Sequence, residues 1–191
     1  MTKVFIDGQA GTTGLEISQR LADRADIEVV AIEESARKDA GARTEMFERC
    51  DVAILCLPDD AAREAVALAN GRCRILDAST AHRVAPDWSY GLPELAPEQR
   101  EAIANAECVS NPGCYPQGFI LMVRPLIEAG LIPADLGLTV QAVSGYSGGG
   151  KSLIQTRRGF DEKTSQTRNV EAYALGLKHK HVPEMAHYSK T

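Results

Sequence analysis

The stretch "KVFIDGQAGTTG", residues 3–14, decides the fold, because its pattern predicts a strand, a tight turn and a helix in succession. An apolar run from Val4 to Ile6 comes first, and glycines follow at positions 8, 11 and 14. Backbone N–H groups in such a turn can receive a pyrophosphate, since glycine has no Cβ to block the approach. The spacing is G-x-x-G-x-x-G rather than G-x-G-x-x-G, so a glycine-rich turn without a ligand is the alternative to a dinucleotide site.

Apolar runs and helical patterns alternate along the first half of the chain. The runs at 27–32, 51–58 and 74–79 predict strands, and residues 61–69 predict a helix between the last two. This alternation is typical of β-α-β units. We therefore predict an α/β fold with a Rossmann-like, doubly wound parallel sheet, whose ligands bind at the carboxyl ends of the strands. Residues 85–99 are rich in proline and turn formers and are expected to run over the surface.

A second domain, of α+β type, is expected to follow this sheet. Its patterns predict a helix at 119–129, a strand at 138–143 and a loop at 157–169. We therefore divide the chain into a first domain, residues 1–112, and a second domain, residues 113–191.

The composition is that of an ordinary folded protein, with 44% hydrophobic and 25% charged residues. A formal net charge of -5 argues against nucleic acid as a partner, since phosphate backbones select basic surfaces. Residues 145–191 nevertheless carry 8 lysines and arginines against 4 acids. An acidic small molecule would suit this end of the chain, and solvated surface charge is the alternative.

The cysteines and the hydropathy indicate a compartment. Five cysteines, an odd number without a C-x-x-C pair, follow no signal peptide, so neither a disulfide framework nor a zinc site is expected. No apolar run approaches the roughly 20 residues of a membrane span. We expect a protein of the reducing cytoplasm, with no membrane partner and no metal.

The residues after the second predicted strand bear on the choice of cofactor. In "IEESARKD", residues 32–39, Glu33 and Glu34 precede Ser35, Arg37 and Lys38. An acid at this place accepts the ribose 2′-hydroxyl of NAD, whereas basic and hydroxyl groups accept the 2′-phosphate of NADP. We favour NADP(H), on the condition that both glutamates point away from the phosphate, which they would repel.

A single thiol stands in the stretch "NPGCYPQG", residues 111–118. Cys114 precedes a helix predicted to begin near residues 116–118, and the N-terminal end of a helix stabilises a thiolate through unpaired N–H groups and the helix dipole. Cys114 is therefore the candidate nucleophile. A lone cysteine is more often a small buried apolar residue, and this is the interpretation of the four that lie in apolar or helical runs without a base: Cys50, Cys56, Cys73 and Cys108.

Two histidines stand close together in "LKHKHVPEM", residues 177–185. On a strand, His179 and His181 would face the same side and Lys180 the other. Glu184 is a candidate to hold one imidazole in its tautomer, as a catalytic base requires. The pair lacks further ligands for a metal. A chance exposed pair is the alternative.

Two loops after predicted strands offer polar groups to a ligand. The loop "SGYSGGGK", residues 144–151, supplies N–H groups, hydroxyls and a cation, which suit a phosphate or a carboxylate. A flexible hairpin turn is the alternative. In "DASTAHR", residues 77–83, Ser79 and Arg83 are candidates for ligand contact, whereas His82 is expected on the surface.

Six motifs in this order, "GQAGTTG", "LDASTAHR", "YGLPEL", "NPGCYPQG", "VSGYSGGGK" and "KHKHVPE", resemble those of the N-acetyl-gamma-glutamyl-phosphate reductases, particularly their shorter, second type. The resemblance implies an NADPH-dependent reduction of N-acetyl-L-glutamyl 5-phosphate to N-acetyl-L-glutamate 5-semialdehyde and phosphate, through a cysteine thioester, in arginine biosynthesis. It also implies that residues 1–112 form the NADP-binding domain and residues 113–191 the catalytic and dimerisation domain, and that the protein is a homo-oligomer, a dimer or a tetramer, formed through the sheet of the second domain.

The resemblance assigns roles to residues of this chain. Cys114 is implied as the nucleophile and His179 as the acid/base, with Glu184 in support and His181 as the less favoured acid/base. Implied cofactor contacts are Gly8, Gly11, Thr12, Thr13, Gly14, Ser35, Arg37, Leu57, Pro58 and Ser79. Implied substrate contacts are Arg83, Asn111, Ser144, Gly145, Tyr173 and His181.

Members of this family continue well past the "HKHVPE" segment, so we expect a chain that ends at Thr191 to be an incomplete member. Uncovered apolar faces would then require a partner chain. Two other functions are carried forward: another acyl-phosphate or semialdehyde dehydrogenase, such as aspartate-semialdehyde dehydrogenase, and a dinucleotide-binding module without turnover.

Overall fold

A six-stranded parallel sheet forms the first part of the molecule. The computed structural model describes residues 1–150, 153–158 and 170–191. Within them the strand order is β2-β1-β3-β4-β6-β5, and every neighbouring pair is parallel. The predicted fold class, a Rossmann-like parallel α/β sheet, is confirmed. The strands are β1 (Thr2–Asp7), β2 (Ile27–Val30), β3 (Val52–Leu55), β4 (Arg74–Asp77), β5 (Ser89–Tyr90) and β6 (Cys108–Ser110).

Helices connect the strands and continue beyond the sheet. They are α1 (Thr12–Ala22), α2 (Ala40–Arg49), α3 (Asp59–Ala69), α4 (Gln99–Asn105), α5 (Pro116–Glu128), α6, described at residues 153–158, and α7 (Val182–Ser189). Short 3-10 turns lie at Glu34–Ala36, Pro93–Leu95 and Tyr146–Gly149. No helix of the described ranges is long and apolar enough to cross a membrane.

The main core lies between one face of the sheet and helices α2 and α3. Alternate strand residues point into it, as the two-residue period of a strand requires, and they meet apolar residues of α2 and small residues of α3 that let the helix approach closely. Val4 and Ile6 lie on the opposite face of β1 and are also buried. The core members are Phe5, Val30, Met46, Phe47, Cys50, Ala53, Leu55, Ala62, Ala65, Ala69 and Ile75.

A smaller core joins the sheet edge to the last helices. Tyr90 of β5 packs with Leu92 and Ile120, and its ring stacks on Tyr188 of α7 with 3.8 Å between centroids. The expectation that residues 85–99 run over the surface is therefore wrong for Tyr90 and Leu92, which are 2% and 4% exposed. Their side chains pack against α5 and α7. The local sequence does not predict this contact.

Two further expectations for residues after 112 are also wrong. Residues 138–143 form no strand and are exposed, because no described strand lies beside them to pair with their backbone groups. The segment around His179 is a turn leading into α7 rather than a strand. Of the predicted loop 157–169, residues 157 and 158 are helical, and 159–169 lie outside the described residues.

Candidate functional site

The glycine turn brings the start of α1 close to the end of β3. Gly8 has a φ of 91°, and a Cβ there would lie 2.3 Å from the carbonyl oxygen of Cys56. A Cβ on Gly14 would lie 2.5 Å from the carbonyl oxygen of Gly8. The chain's own packing thus requires both glycines, whether or not a ligand binds.

The N-terminus of α1 suits an anion. Gly11 occupies the N-cap position without a side-chain hydrogen bond, and the first turn contains no acid. The N–H groups of Thr12 and Thr13 therefore have no intrahelical acceptor, and the helix dipole places partial positive charge there.

A cavity of about 360 Å³ adjoins this helix end. Three of the predicted cofactor residues, Thr13, Leu57 and Pro58, line it together with the glycines at 148–150. Lys180 lines it too, although the strand hypothesis placed Lys180 away from the histidines' side. A helix N-terminus, a lysine and a glycine loop around one cavity fit a phosphate-bearing ligand.

The residues expected to distinguish NADP from NAD lie on the exposed 3-10 turn Glu34–Ala36 and directly after it. Ser35 and Arg37 are exposed, and Arg37 Nη1 lies 3.4 Å from Glu34 Oε1. A 2′-phosphate at this place would compete with a carboxylate for the guanidinium.

Cys114 is the exposed cysteine among the five. It lies directly before Tyr115, the N-cap residue of α5. This helix begins at Pro116, and its N-terminus has no side-chain cap.

Cys56 is not a competing nucleophile. Burial, with a smaller effect of Asp7 and Asp77, raises the pKa of Cys56 to about 11, so the Cys56 thiol stays protonated at neutral pH.

The Glu184 carboxylate joins three distant parts of the chain. It is 2% exposed. Its Oε1 accepts hydrogen bonds from the Gly113 N–H at 2.7 Å and the Tyr90 hydroxyl at 2.6 Å, and its Oε2 accepts one from Arg83 Nη1 at 3.1 Å. Burial and the bond to Glu184 raise the pKa of Tyr90, which keeps the hydroxyl a donor. The residue before Cys114 is therefore held by a buried carboxylate.

Gly113 leaves no room for a side chain. A Cβ there would lie 2.7 Å from Arg83 Nη1, 2.9 Å from Glu184 Oε2 and 2.9 Å from His181 Nε2. The His181 imidazole thus lies beside the backbone that carries Cys114.

The two histidines contact each other directly. The backbone N–H of His181 donates to Nδ1 of His179 at 3.2 Å, and the rings meet edge to face with 4.6 Å between centroids. Tyr173, itself exposed, lies edge-on to His179 at 5.9 Å. His181 is 6% exposed, so the chance exposed pair is excluded for it.

Glu184 does not orient an imidazole as expected. Among the described residues it has no hydrogen bond to His179 or His181, because its oxygens are taken by Tyr90, Gly113 and Arg83. It positions the cysteine segment instead.

The other predicted residues lie around this cluster. Arg83 is buried, donates from Nη2 to the carbonyl of Ala78 at 3.1 Å, and has an Nε without a partner among the described residues. Ser79 donates to Asp77 Oδ2 at 2.6 Å, within a turn. Asn111 is exposed, and its backbone N–H donates to the Asp77 carbonyl at 2.7 Å.

His82 is not on the surface as expected. Its side chain is 12% exposed, because Nδ1 lies 2.6 Å from Asp77 Oδ2 and the ring stacks on Trp88 with 4.1 Å between centroids. Asp77 thereby holds the loop that carries Ser79 and Arg83.

The loop after residue 143 reaches the cysteine segment. The Tyr115 hydroxyl donates to the carbonyl of Val143, directly before Ser144 and Gly145, which are both exposed. The cation of this loop, Lys151, lies outside the described residues.

Sequence reasoning missed the roles of Tyr90, Asp77 and Lys180. Tyr90 and Asp77 were present in quoted motifs, but their contacts join positions up to 94 residues apart. The Pro183 and Glu184 pair was an available signal for the start of α7, since proline and acids favour the first turn of a helix.

We expect His181 to titrate with a pKa of about 4, below the ordinary value of 6.5. Burial disfavours its charged form most, and the nearby His179 and Arg83 lower the pKa further, against a smaller opposing effect of Glu184. Since the unfolded chain takes up this proton first, the stability that His181 contributes is present above pH 6.5 and is lost as the pH falls towards 4. NMR titration of the imidazole resonances measures this pKa.

The matched variant His181→Asn identifies the resonance and removes this part of the pH dependence of unfolding. A His181 that titrates at its ordinary pKa in the folded chain would contradict the buried placement.

Two family models match this chain. The model described as the semialdehyde dehydrogenase NAD binding domain matches residues 3–105, and the semialdehyde dehydrogenase dimerisation domain matches residues 114–191.

Named relatives cover nearly the whole chain. "N-acetyl-gamma-glutamyl-phosphate reductase 2" of Nostoc sp. is 57% identical over 98% of this chain and 59% of its own length. The reductase of Brucella ovis is 55% identical over 96% of this chain and 60% of its own. The chain therefore spans about three-fifths of the relatives' length, and the resemblance read from its motifs is confirmed.

Solved structures share the fold. Aspartate semialdehyde dehydrogenase II of Vibrio cholerae aligns with a TM-score of 0.64 and 18% identity, over 100% of this chain and 65% of that one. The Francisella tularensis enzyme gives 0.58 and 18%, over 90% and 52%. With both domain models matched in order along a parallel sheet of this kind, the chain belongs to the semialdehyde dehydrogenase family.

Proposed function

We propose that this chain is an oxidoreductase that reduces N-acetyl-L-glutamyl 5-phosphate to N-acetyl-L-glutamate 5-semialdehyde and phosphate with NADPH, in arginine biosynthesis. One observation carries the proposal: exposed Cys114 directly follows Gly113, whose N–H is bound by buried Glu184 at 2.7 Å. The names of the relatives at 55–57% identity support this substrate. The solved dehydrogenases for aspartate semialdehyde, at 18% identity, support the fold alone.

The first chemical step belongs to Cys114. Its thiolate attacks the acyl carbon, the C–O bond to phosphate breaks, and a thioester remains on the sulfur. A thioester accepts hydride where a carboxylate would not, so covalent capture divides one difficult step into two. Cys114 stands just before the N-terminus of α5, which has no side-chain cap, and the N–H groups and dipole at a helix N-terminus attract an anion.

The second step needs a hydrogen-bond donor for the developing oxyanion, and we assign this role to His179. Its Nδ1 accepts the backbone N–H of His181 at 3.2 Å, so the neutral ring carries its proton on Nε2. Nε2–H then donates to the thiohemiacetal oxygen before the C–S bond breaks and releases the aldehyde. His181, neutral because its pKa is about 4, holds the partner ring through its backbone.

The substrate would form hydrogen bonds with polar groups near Cys114 and the two histidines. Two buried atoms, Arg83 Nε and His181 Nδ1, have no partner among the described residues, whereas buried polar atoms normally have partners. Asn111, Tyr173 and the loop at Ser144 and Gly145 complete the proposed substrate contacts.

The nicotinamide dinucleotide fits the end of the sheet that carries these groups. The N-terminus of α1 and the 360 Å³ cavity, which Thr13, Leu57 and Pro58 line, would hold its phosphates. The further proposed contacts are Gly8, Gly11, Thr12, Gly14 and Ser79. Ser35 and Arg37 would receive the 2′-phosphate. When bound, NADPH supplies the hydride, and the chain supplies position and proton.

Replacing Arg37 by alanine is expected to weaken NADP+ binding roughly 10- to 100-fold and NAD+ binding by less than about twofold. The guanidinium would make a charge-assisted hydrogen bond worth about 1.5–3 kcal/mol to the 2′-phosphate, which NAD+ lacks. Fluorescence titration of both dinucleotides measures the ratio.

The matched control is Arg20→Ala, which removes an exposed arginine paired with Glu16 on α1. Equal losses for the two dinucleotides in Arg37→Ala would remove the 2′-phosphate assignment.

We also propose the division into a dinucleotide-binding domain at 1–112 and a catalytic and dimerisation domain at 113–191. The cytoplasm and a homo-oligomer belong to the same proposal. Exposed apolar residues along and after α5 support an interface: Leu121, Met122, Leu126 and Leu131.

The decisive assay runs the reaction backwards. Phosphate-dependent reduction of NADP+ with N-acetyl-L-glutamate 5-semialdehyde, but not with aspartate semialdehyde, is the expected result. Turnover of aspartate semialdehyde instead would favour the other dehydrogenase, and dinucleotide binding without any acyl transfer to Cys114 would favour a module without turnover.

A further inference from the structure

The amino ends of β3 and β4 bring two cysteines together, at the opposite end of the sheet from Cys114. Val52 of β3 lies beside Arg74 of β4 in the parallel register. The Arg74 N–H donates to the carbonyl of Asp51 at 3.1 Å, which joins the two strand entries. Cys50, the C-cap residue of α2, directly precedes Asp51, and Cys73 directly precedes Arg74, so the two cysteines flank this hydrogen bond at the entries to β3 and β4.

The two thiols contact each other. The Cys50 thiol donates to the carbonyl of Phe47 at 3.8 Å, its side chain interacts with that of Cys73 so that each shifts the pKa of the other, and Cys73 packs against the apolar cluster that contains Cys50. Adjacent strands lie about 4.8 Å apart, and a disulfide spans Cα atoms about 4.4–6.8 Å apart. The hydrogen-bonded backbones of Asp51 and Arg74 therefore bring the segments that carry Cys50 and Cys73 to a spacing comparable with that of a disulfide.

Solvent reaches this pair. A cavity of about 430 Å³ is lined by both cysteines, with Asp51 and Glu107 balanced by Arg72 and Arg74. Cys50 is 6% exposed and Cys73 is half-buried, so Cys73 is the more accessible sulfur.

The environment also separates the roles of the two thiols. The interaction with the Cys50 side chain lowers the pKa of Cys73 and so favours its thiolate. The interaction with Cys73 and burial raise the pKa of Cys50, which keeps that thiol protonated. Thiolates, rather than thiols, attack peroxides and disulfides.

We propose that Cys50 and Cys73 form an oxidisable dithiol, which a hydroperoxide converts into an intramolecular disulfide. The Cys73 thiolate attacks a peroxide oxygen, so an S–O bond forms, the O–O bond breaks and hydroxide leaves to become water. Cys50 then attacks the sulfenic sulfur, the S–S bond forms, and the S–O oxygen leaves as a second water with the Cys50 proton. Two thiols and one hydrogen peroxide give one disulfide and two waters. Dithiol reductants reverse the change.

The test oxidises the folded 191-residue chain with stoichiometric hydrogen peroxide, in a Cys114→Ser background that removes the exposed thiol. After alkylation, unreduced tryptic peptides are mapped by mass spectrometry. We expect loss of two hydrogen atoms in the intact mass and a linked pair of peptides, residues 50–63 with 73–74. The link persists in Cys56→Ser and Cys108→Ser, disappears in Cys73→Ser, and is cleaved by dithiothreitol.

The mapping on the parent background needs no change to buried Cys50, so a folding defect cannot obscure the result. Oxygen addition to Cys73 without a link would overturn the proposal. So would a link from Cys73 to Cys108, which lies on β6 beside β4, or two unmodified thiols in a chain whose circular dichroism stays native.

Discussion

Replacing Cys114 by alanine abolishes turnover, with a loss of at least about 10³-fold, while the affinity for NADP+ stays within about twofold. The reason is that alanine cannot form the acyl bond, whereas the exposed Cβ leaves the cofactor contacts at α1 and the cavity unchanged. Steady-state assays and fluorescence titration measure the two effects separately. Intact mass spectrometry adds a direct readout, since only the parent chain gains the N-acetylglutamyl group.

The control is Cys108→Ser, a half-buried cysteine on β6. It is expected to retain both turnover and acyl transfer. Turnover that survives in Cys114→Ala would refute the covalent route, whatever the dinucleotide affinity.

Replacing Gly113 by alanine lowers kcat by roughly 10²-fold, the scale of a misplacement of about 1 Å at a reacting group. The new Cβ would meet Arg83 Nη1, Glu184 Oε2 and His181 Nε2 at 2.7, 2.9 and 2.9 Å. These atoms belong to buried side chains, so the backbone before Cys114 must move. The rate of Cys114 alkylation by iodoacetamide is expected to change with kcat, and the affinity for NADP+ is not.

Gly118→Ala is the matched control, because a Cβ at Gly118 meets nothing within 4 Å. It lies in the first turn of α5, where alanine favours the helix by up to about 1 kcal/mol over glycine. Normal kcat and normal alkylation in Gly113→Ala would show that the contact of Gly113 with Glu184 does not position the thiol. Glu184→Gln keeps the shape of the side chain and removes its charge, so its kcat is expected to lie between those of Gly113→Ala and Gly118→Ala.

Strands β1 to β4 and helices α1 and α3 of the first domain could be predicted because their signals are local, whereas helices α2 and α4 were not predicted. Strand β1 and helix α1 share one turn whose glycines are visible in the sequence, and the apolar run of β3 is continuous. Strands β5 and β6 were not predicted because they contain only two and three residues. Strands this short are stable only when they pair with neighbouring strands.

The strand predicted at 138–143 is absent from the structure for a different reason. Its apolar residues follow a strand-like pattern, but a strand also needs a partner for its backbone groups. The described residues place none beside it. Pattern alone cannot supply the partner.

For the candidate site, the sequence identified residue types but not their contacts. Cys114 before a helix and the His179 and His181 pair were visible from spacing. The association of Glu184 with Tyr90, 94 residues away, was not. Nor was the contact between Cys50 and Cys73, which depends on the register of β3 and β4.

The sequence by itself determined the parallel α/β architecture, the glycine turn and the identity of the exposed thiol, because these depend on local periodicity and on helix and turn geometry. Only the tertiary structure decided that Glu184 binds the Gly113 N–H rather than an imidazole, and that His181 is buried and neutral. Burial and hydrogen bonding depend on which distant segments are in contact. Those contacts are determined by the packing of the whole chain.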